Sequence, residues 1–304
     1  MKKIFVTFGD GSDDLKNAAI RLRNEALSSG FFDDVIMGNL AYLKENCSLD
    51  YLANINFIKN NTRGLGYWIW KPIILRHVLD KVNYGDLIFY SDAGCELSTK
   101  ARSHFKFLCK LAKKNEGLFF RLPHLENAYT KADIFNDDIF KGQLNGEDNQ
   151  VQATFFLLHK TIKNIHLIDD WYSLAVKNNY HYIDDSPSEL SNHISFIENR
   201  HDQSILSCLI KLNNHYIFPD NYWFPRDFYF KKSPLFKYFI HQLRSKTGES
   251  LLENLQTKQD KNWLKKSVFI YSMMFKLDLK IFLTNFIIGR KILGGYRLIK
   301  KSFN

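Results

Sequence analysis

Residues 85–94 read Gly-Asp-Leu-Ile-Phe-Tyr-Ser-Asp-Ala-Gly. Asp86-Leu87-Ile88-Phe89-Tyr90 is a short apolar run rich in β-forming side chains, which predicts a buried strand. The run breaks at Ser91-Asp92-Ala93-Gly94, a set of turn-forming residues. A strand that is apolar throughout belongs in a sheet covered on both faces, and that places Asp92 at its exposed end.

The elements on either side fit such a sheet. Lys3–Phe8 reads as a first strand ended by Gly9-Asp10-Gly11. Ser12, followed by Asp13 and Asp14 and a periodic run to Leu27, predicts a capped helix with acids in its first turn. Val35–Met37 is a second strand, and Pro72 marks the first turn of a helix running to about Val82. After Gly94 a helix is expected near Lys100–Lys114, then strands at Gly117–Arg121 and Val151–His159, then a helix at Ile162–Asn178. Alternation of this kind predicts an α/β protein with a mostly parallel central sheet flanked by helices. Ligands of open sheets bind beyond the carboxyl ends of the strands, so the chemistry is expected just after Phe8, Tyr90 and Arg121.

Composition sets outer limits. The chain has 304 residues, enough for one large domain or a catalytic domain with an appendage. Hydrophobic residues make up 45% and charged residues 24%, as in ordinary globular proteins. Aromatic content, at 15%, is high and suits a large core, stacking on rings or an interfacial surface. Cys47, Cys95, Cys109 and Cys208 have neither metal-ligand spacing nor a paired framework, so free, buried thiols in a reducing compartment are expected. The opening MKKIFVTFGDG turns polar too early for a signal peptide, which predicts a protein that is not exported.

The net charge of +10 is unevenly placed. Residues 226–304 hold 17 Lys and Arg against 5 Asp and Glu, whereas the first 225 hold 25 against 27. A catalytic part without basic excess argues against a nucleic-acid binder. The boundary is expected near Pro219–Pro234, giving a catalytic domain over 1–225 and a basic, aromatic, helical segment over 226–304. Within 264–301, Ser272, Lys276, Lys280 and Thr284 form a polar stripe on a broadly apolar helix. Lys276, Asp278 and Lys280 interrupt its apolar runs, so it reads as a helix lying on an anionic membrane surface, or packed against the domain or a second copy, rather than spanning.

Three segments carry candidate chemistry. Asp92 can hold a divalent cation that neutralises a diphosphate, or simply cap its turn. In Arg63-Gly64-Leu65-Gly66-Tyr67-Trp68-Ile69-Trp70-Lys71-Pro72 two glycines permit close backbone approach, with Gly66 nearest the aromatics. Arg63 and Lys71 supply positive charge there, and Trp68 and Trp70 supply flat faces. A helix starting at Pro72 would aim its positive end at a phosphate. In Glu198-Asn199-Arg200-His201-Asp202-Gln203-Ser204, Asp202 and His201 open an apolar helix. One can act as base or orient a hydroxyl and the other can complete a metal shell, although an acid is also favoured there by the helix dipole alone. Lys131, in Lys131-Ala132-Asp133, can reach a phosphate or sugar hydroxyl. Asp184-Asp185-Ser186-Pro187 reads as a plain turn.

Taken in order, Arg-Gly-x-Gly-Tyr-Trp-x-Trp-Lys-Pro, Gly-Asp-x-x-x-Tyr-x-Asp-Ala-Gly and Arg-His-Asp-Gln-Ser resemble segments of bacterial glycosyltransferases of O-antigen and capsule loci, which adopt the GT-A fold. The resemblance spans about residues 1–225, and its specific motifs cover 63–72, 85–95 and 198–204. It implies that Asp92 is the first acid of an Asp-x-Asp type metal motif, whose second acid is replaced by Gly94. It implies a nucleotide cradle at Thr7, Phe8 and Gly9 and an Asp-Gln pair, Asp202 and Gln203, beside the transferred sugar. The donor-binding set it suggests is completed by Arg63, Gly66, Trp70, Lys71, Tyr90, Ser91, Asp92, Ala93, Lys131 and Asp133. The implied cofactor is Mn2+ or Mg2+ on Asp92 and His201. The implied partners are a nucleotide-sugar donor, with a galactose-type UDP-sugar favoured, and a polyprenyl-diphosphate-linked glycan acceptor at the inner face of the plasma membrane. A non-catalytic nucleotide-sugar or carbohydrate-binding protein on the same fold is the alternative, and the acids at Gly9-Asp10-Gly11-Ser12 disfavour a nucleotidyltransferase.

Overall fold

The strand read at Asp86–Tyr90 lies at the centre of a seven-stranded sheet in the computed structural model, which describes residues 1–218, 239–242, 246 and 248–250. In chain order the first elements are β1 (Lys3–Phe8), α1 (Asp13–Ser29), β2 (Asp34–Gly38), α2 (Leu40–Asn46), α3 (Ser48–Asn60), the short turn α4 (Gly64–Tyr67) and α5 (Trp70–Lys81). Next come β3 (Leu87–Ser91), β4 (Glu96–Leu97), α6 (Arg102–Lys114), β5 (Gly117–Leu125), α7 (Glu126–Tyr129) and α8 (Ala132–Phe135). The remainder are β6 (Asn149–Val151), β7 (Phe155–His159), α9 (Ile162–Tyr180), α10 (Asp202–Leu212), β8 (Ile217–Phe218) and β9 (Ile240–His241).

The sheet order is β2-β1-β3-β7-β5-β6, with β8 also paired to β5. β1 is parallel to β2 and β3, whereas β7 runs antiparallel to both β3 and β5. β6 is antiparallel to β5, and β8 is parallel to it. Five of the seven strands therefore point one way, and the protein is α/β with a mostly parallel sheet flanked by helices.

The period-2 alternation of a strand explains how β3 is covered on both sides. Ile88 and Tyr90 join one core with Phe156, Leu158 and residues of α5, α9 and α10. Leu87 and Phe89 join the other with Phe5, Leu157 and residues of α1 and α6. α1 starts as predicted: the Ser12 hydroxyl accepts from the Leu15 amide at 3.3 Å, and Gly30 ends the helix in the left-handed region at φ 61°.

Two expectations are corrected. The single strand expected over Val151–His159 is two strands, broken at residues 152–154, where the Gln152 amide donates to the Phe120 carbonyl. Because β7 is antiparallel to β3, it is not the product of a further βαβ crossover, and the break matters for the site. The folded unit also does not stop at residue 225. β9 pairs with β4, and Phe239 is fully buried among Phe31, Phe32, Phe89 and Phe105. Most of the rest of the basic segment, including the amphipathic stripe at 264–301, lies outside the described residues. Among the described residues no helix is long and apolar enough to cross a membrane.

Candidate active site

β3 ends at Ser91 and delivers Asp92 to the carboxyl edge of the sheet. The Asp92 amide donates to the Thr154 carbonyl at 2.8 Å, and the Cys95 amide donates to the Asp92 carbonyl at 3.0 Å, which closes the turn around Gly94. The Tyr90 hydroxyl donates to Asp92 Oδ1 at 2.7 Å. Each of these contacts restrains the same carboxylate.

Lys71, in the first turn of α5, meets this carboxylate from the side. Its Nζ lies 3.2 Å from Asp92 Oδ1 and 2.9 Å from Asp202 Oδ2, and it donates to the Ala153 carbonyl at 3.3 Å. The Lys71 and Asp202 side chains are only 4% and 7% exposed, whereas Asp92 is 31% exposed. Burial pushes the Asp202 carboxyl up to about 6, against the pull of Lys71. Burial alone would lower the Lys71 pKa; Asp202 and Asp92 outweigh it and hold the ammonium above the ordinary lysine value. Two carboxylates and one ammonium leave one excess negative charge when all are ionised. It resides at the only open carboxylate of the pair, Asp92, whose Oδ2 takes no hydrogen bond among the described residues.

The segment Arg63–Lys71 owes its shape to a run of left-handed backbone: Leu65 (φ 53°), Gly66 (φ 78°), Tyr67 (φ 50°) and Trp68 (φ 64°). At Gly66 a Cβ would stand 3.0 Å from the Ile58 Cα, so both conformation and space require glycine. The run folds Trp70 inward, where it stacks on Phe8 at 3.9 Å and 13° and donates Nε1–H to the Gly64 carbonyl at 2.8 Å. Trp70 and Phe8 are thus a core pair that seats Lys71, and neither presents a face to a ligand.

Several other expected donor-site residues have structural duties. Thr7, Tyr90, Ser91 and Ala93 are buried. Gly9 serves close packing, since a Cβ there would stand 2.4 Å from Ala19 Cβ. Arg63 is exposed and pairs with Asp185 at 2.7 Å. Lys131 Nζ spends its donors on the His181 carbonyl, Asp184 Oδ1 and Ser186 Oγ, at 2.6, 3.0 and 3.2 Å. Asp133 accepts from the Glu189 and Leu190 amides and contacts His181 Nε2 at 2.9 Å. Lys131 and Asp133 therefore pin residues 181–190.

The Arg200–Ser204 segment is likewise held by contacts within the protein. His201 Nδ1 lies 2.8 Å from the Ile183 carbonyl, which can only accept, so Nδ1 carries the proton and Nε2 the lone pair. That Nε2 faces Asp185 at 3.8 Å, and the ring packs with Tyr67 and Trp68. Burial lowers the His201 pKa and keeps the ring neutral. Asp202 lies buried behind Lys71 and has no open face for an acceptor hydroxyl. Gln203 accepts from the Ala153 amide at 3.2 Å and donates to Gln150 at 2.7 Å, so it fixes the 152–154 break.

That break is what the sequence reading missed. Ala153 offers its carbonyl to Lys71 and Thr154 offers its own to the Asp92 amide, both through backbone atoms that no side-chain pattern reveals. Trp171 was missed as well. Its indole N–H donates to the Asp202 carbonyl at 3.0 Å and anchors the start of α10, a role whose only trace in the sequence is a large aromatic within an apolar helix.

Among the described residues no group of three or more His, Cys, Asp and Glu is arranged around a common metal position. Asp92 fits a magnesium- or manganese-type ion as a single protein ligand, because such ions are often held by one or two carboxylates with phosphates and water completing the shell. His201 turns its free nitrogen towards Asp185, 3.8 Å away, and no contact given for it reaches Asp92.

No protein-family model matches the chain, and no curated protein matches it. Among solved structures, mouse xyloside xylosyltransferase 1 in its apo form is similar over 79% of this chain and 97% of its own, at 12% identity and a TM-score of 0.41. Mannose-6-phosphate isomerase from Helicobacter pylori is similar over 58% and 76%, at 13% identity and a TM-score of 0.29. Both likenesses are distant.

Proposed function

We propose that the protein is a glycosyltransferase that moves a hexose from a nucleotide-sugar donor to a glycan acceptor. The observation that carries this reading is the buried Lys71, which bridges Asp202 to the open Asp92 at the carboxyl end of the central strand. Open α/β sheets bind their ligands at that edge. The order of the Arg63–Pro72, Gly85–Gly94 and Arg200–Ser204 segments adds the resemblance to O-antigen and capsule glycosyltransferases. A galactose-type UDP-sugar is the favoured donor.

In this mechanism Asp92 would hold a divalent cation, which would supply positive charge to the departing diphosphate. Tyr90 and Lys71 hold Oδ1 and so set the direction in which Oδ2 points. Lys71 limits the repulsion that two close carboxylates would exert on a diphosphate. Asp202 keeps that ammonium charged and in place, a positioning role that replaces the base role expected from its sequence context.

The test is a panel of nucleotide sugars with Mn2+, read by melting temperature and by transfer. A bound donor at 100 times its Kd stabilises the native state by about 2.7 kcal/mol, a readily measured shift. Stabilisation by one UDP-sugar together with transfer supports the reading. The absence of stabilisation and turnover across the panel refutes it. Gly94, standing where a second acid would be, favours one other reading, a nucleotide-sugar-binding protein without turnover, which would show the shift alone.

The acceptor proposed is a polyprenyl-diphosphate-linked glycan at the inner face of the plasma membrane, met through the basic 226–304 segment. Deleting residues 265–304 should abolish transfer to a lipid-linked acceptor and spare transfer to a short soluble one. Unchanged membrane partition of that deletion would count against the proposal.

A further inference from the structure

α1 buries two charged side chains, Arg21 and Glu25, which are 5% and 7% exposed. Four residues apart, they share one helix face and form an ion pair of 2.7 Å between Arg21 Nη1 and Glu25 Oε1. Burying a charge is costly unless it is paired and hydrogen-bonded, so the remaining bonds of the pair reveal its purpose. Among the described residues, bonds from both members reach one backbone segment. Arg21 Nη2 donates to the Ala93 and Cys95 carbonyls, at 3.0 Å each. Glu25 Oε2 accepts from the Leu97 amide at 2.7 Å. Three backbone groups just beyond Asp92, on both sides of Gly94, are thereby tied to one rigid helix. Ala18 and Ala19 of the same helix pack against Ala93 and bring it close.

A pair kept only for packing could be replaced by apolar side chains at little cost, as buried ion pairs often can. Here the planar guanidinium holds Glu25 with Nη1 and both carbonyls with Nη2, a two-nitrogen reach that the single nitrogen of a lysine does not match. We propose that Arg21 and Glu25 are positioning residues that hold the turn after β3, and so set where the Asp92 carboxylate stands relative to the donor diphosphate. The proposal rests on the glycosyltransferase reading of Asp92.

The decisive variant is Arg21→Lys, which keeps the charge and most of the volume but loses the fork. Glu25→Gln is its companion, because a single amide oxygen cannot accept from both the Arg21 guanidinium and the Leu97 amide. Arg21→Lys should lower kcat at least tenfold, with the KM for the nucleotide sugar moving less than about threefold. Glu25→Gln should lower kcat in the same direction, with the KM again moving less than about threefold. Amide hydrogen exchange at Cys95 and Leu97 should quicken in Arg21→Lys while exchange in β1 and β3 stays as in the parent.

Unchanged exchange at both amides would show that no clamp exists. Quickened exchange with kcat unaltered, or kcat and KM lost together in step with the melting temperature, would reduce the pair to a structural one. A parent protein that turns over no donor would overturn the catalytic reading of Asp92 and the positioning role with it. The exchange result would still report whether Arg21 ties down the turn, so the two failures are distinguishable.

Discussion

Lys71 Nζ lies 2.9 Å from Asp202 Oδ2, and both side chains are more than nine-tenths buried. A pair so placed is strongly interdependent, because removing either partner leaves an uncompensated charge out of water. The third member, Asp92, lies 3.2 Å from the same ammonium and remains open, so the chemistry is expected on its side of the cluster.

Lys71→Met removes the cation between the two carboxylates. The expected cost is about 3–5 kcal/mol near neutral pH, as for other broken buried pairs. Loss of the ammonium raises the folded-state pKa of Asp202 further. The native variant then holds a proton that the unfolded chain releases, so its stability falls as pH rises. Its melting temperature should be higher at pH 5 than at pH 8; equal values would refute the pairing.

Asp202 gives a pH prediction in the parent protein. Its folded pKa of about 6 lies above its ordinary value of 3.8, chiefly through burial. A carboxyl raised in this way binds its proton more tightly in the native state. Its contribution to stability is complete below the ordinary value and is lost as pH rises through about 6. Asp202→Asn should therefore flatten the change in melting temperature between pH 4 and pH 7 relative to the parent. An unaltered profile would contradict it.

Asp92→Asn leaves Lys71 and Asp202 as a neutral pair, so the fold should persist with a melting temperature near that of the parent. Transfer should fall at least 100-fold, the scale for losing one electrostatic element of a site. Added chelator should suppress transfer by the parent protein in the same way. Full turnover in chelator would remove the metal from Asp92.

Gly66→Ala tests the left-handed run that seats Lys71. At φ 78° and with a Cβ 3.0 Å from the Ile58 Cα, alanine should cost about 1–3 kcal/mol. Because the strain falls five residues before Lys71, kcat should fall as well. A melting temperature within 1 °C of the parent, on the order of the smallest resolvable shift, would show that the glycine is dispensable.

Much of the architecture was legible because local patterns report burial directly. The apolar run at Leu87–Tyr90 reads as a buried strand, and Ser12 with its acids reads as the start of a helix. The division of Val151–His159 was not legible, since apolar residues continue across a break that is defined by backbone bonds to Phe120, Lys71 and Asp92. Trp70 and Phe8 looked like ligand-facing aromatics, but two flat rings close in space are stabilised more by stacking on each other than by facing water.

The sequence by itself determined the α/β class, the order of the first strands and helices, and Asp92 as the residue at the end of the central strand. These follow from periodicity and turn chemistry, which act over a few residues. Only the tertiary structure decided that Lys71 stands between Asp92 and Asp202, that His201 points to Ile183 and Asp185, and that Arg21 reaches the turn beyond Asp92. Those contacts join residues on separate elements. Their partners are selected by sheet order and by the requirement that every buried charge be neutralised, and local pattern carries neither.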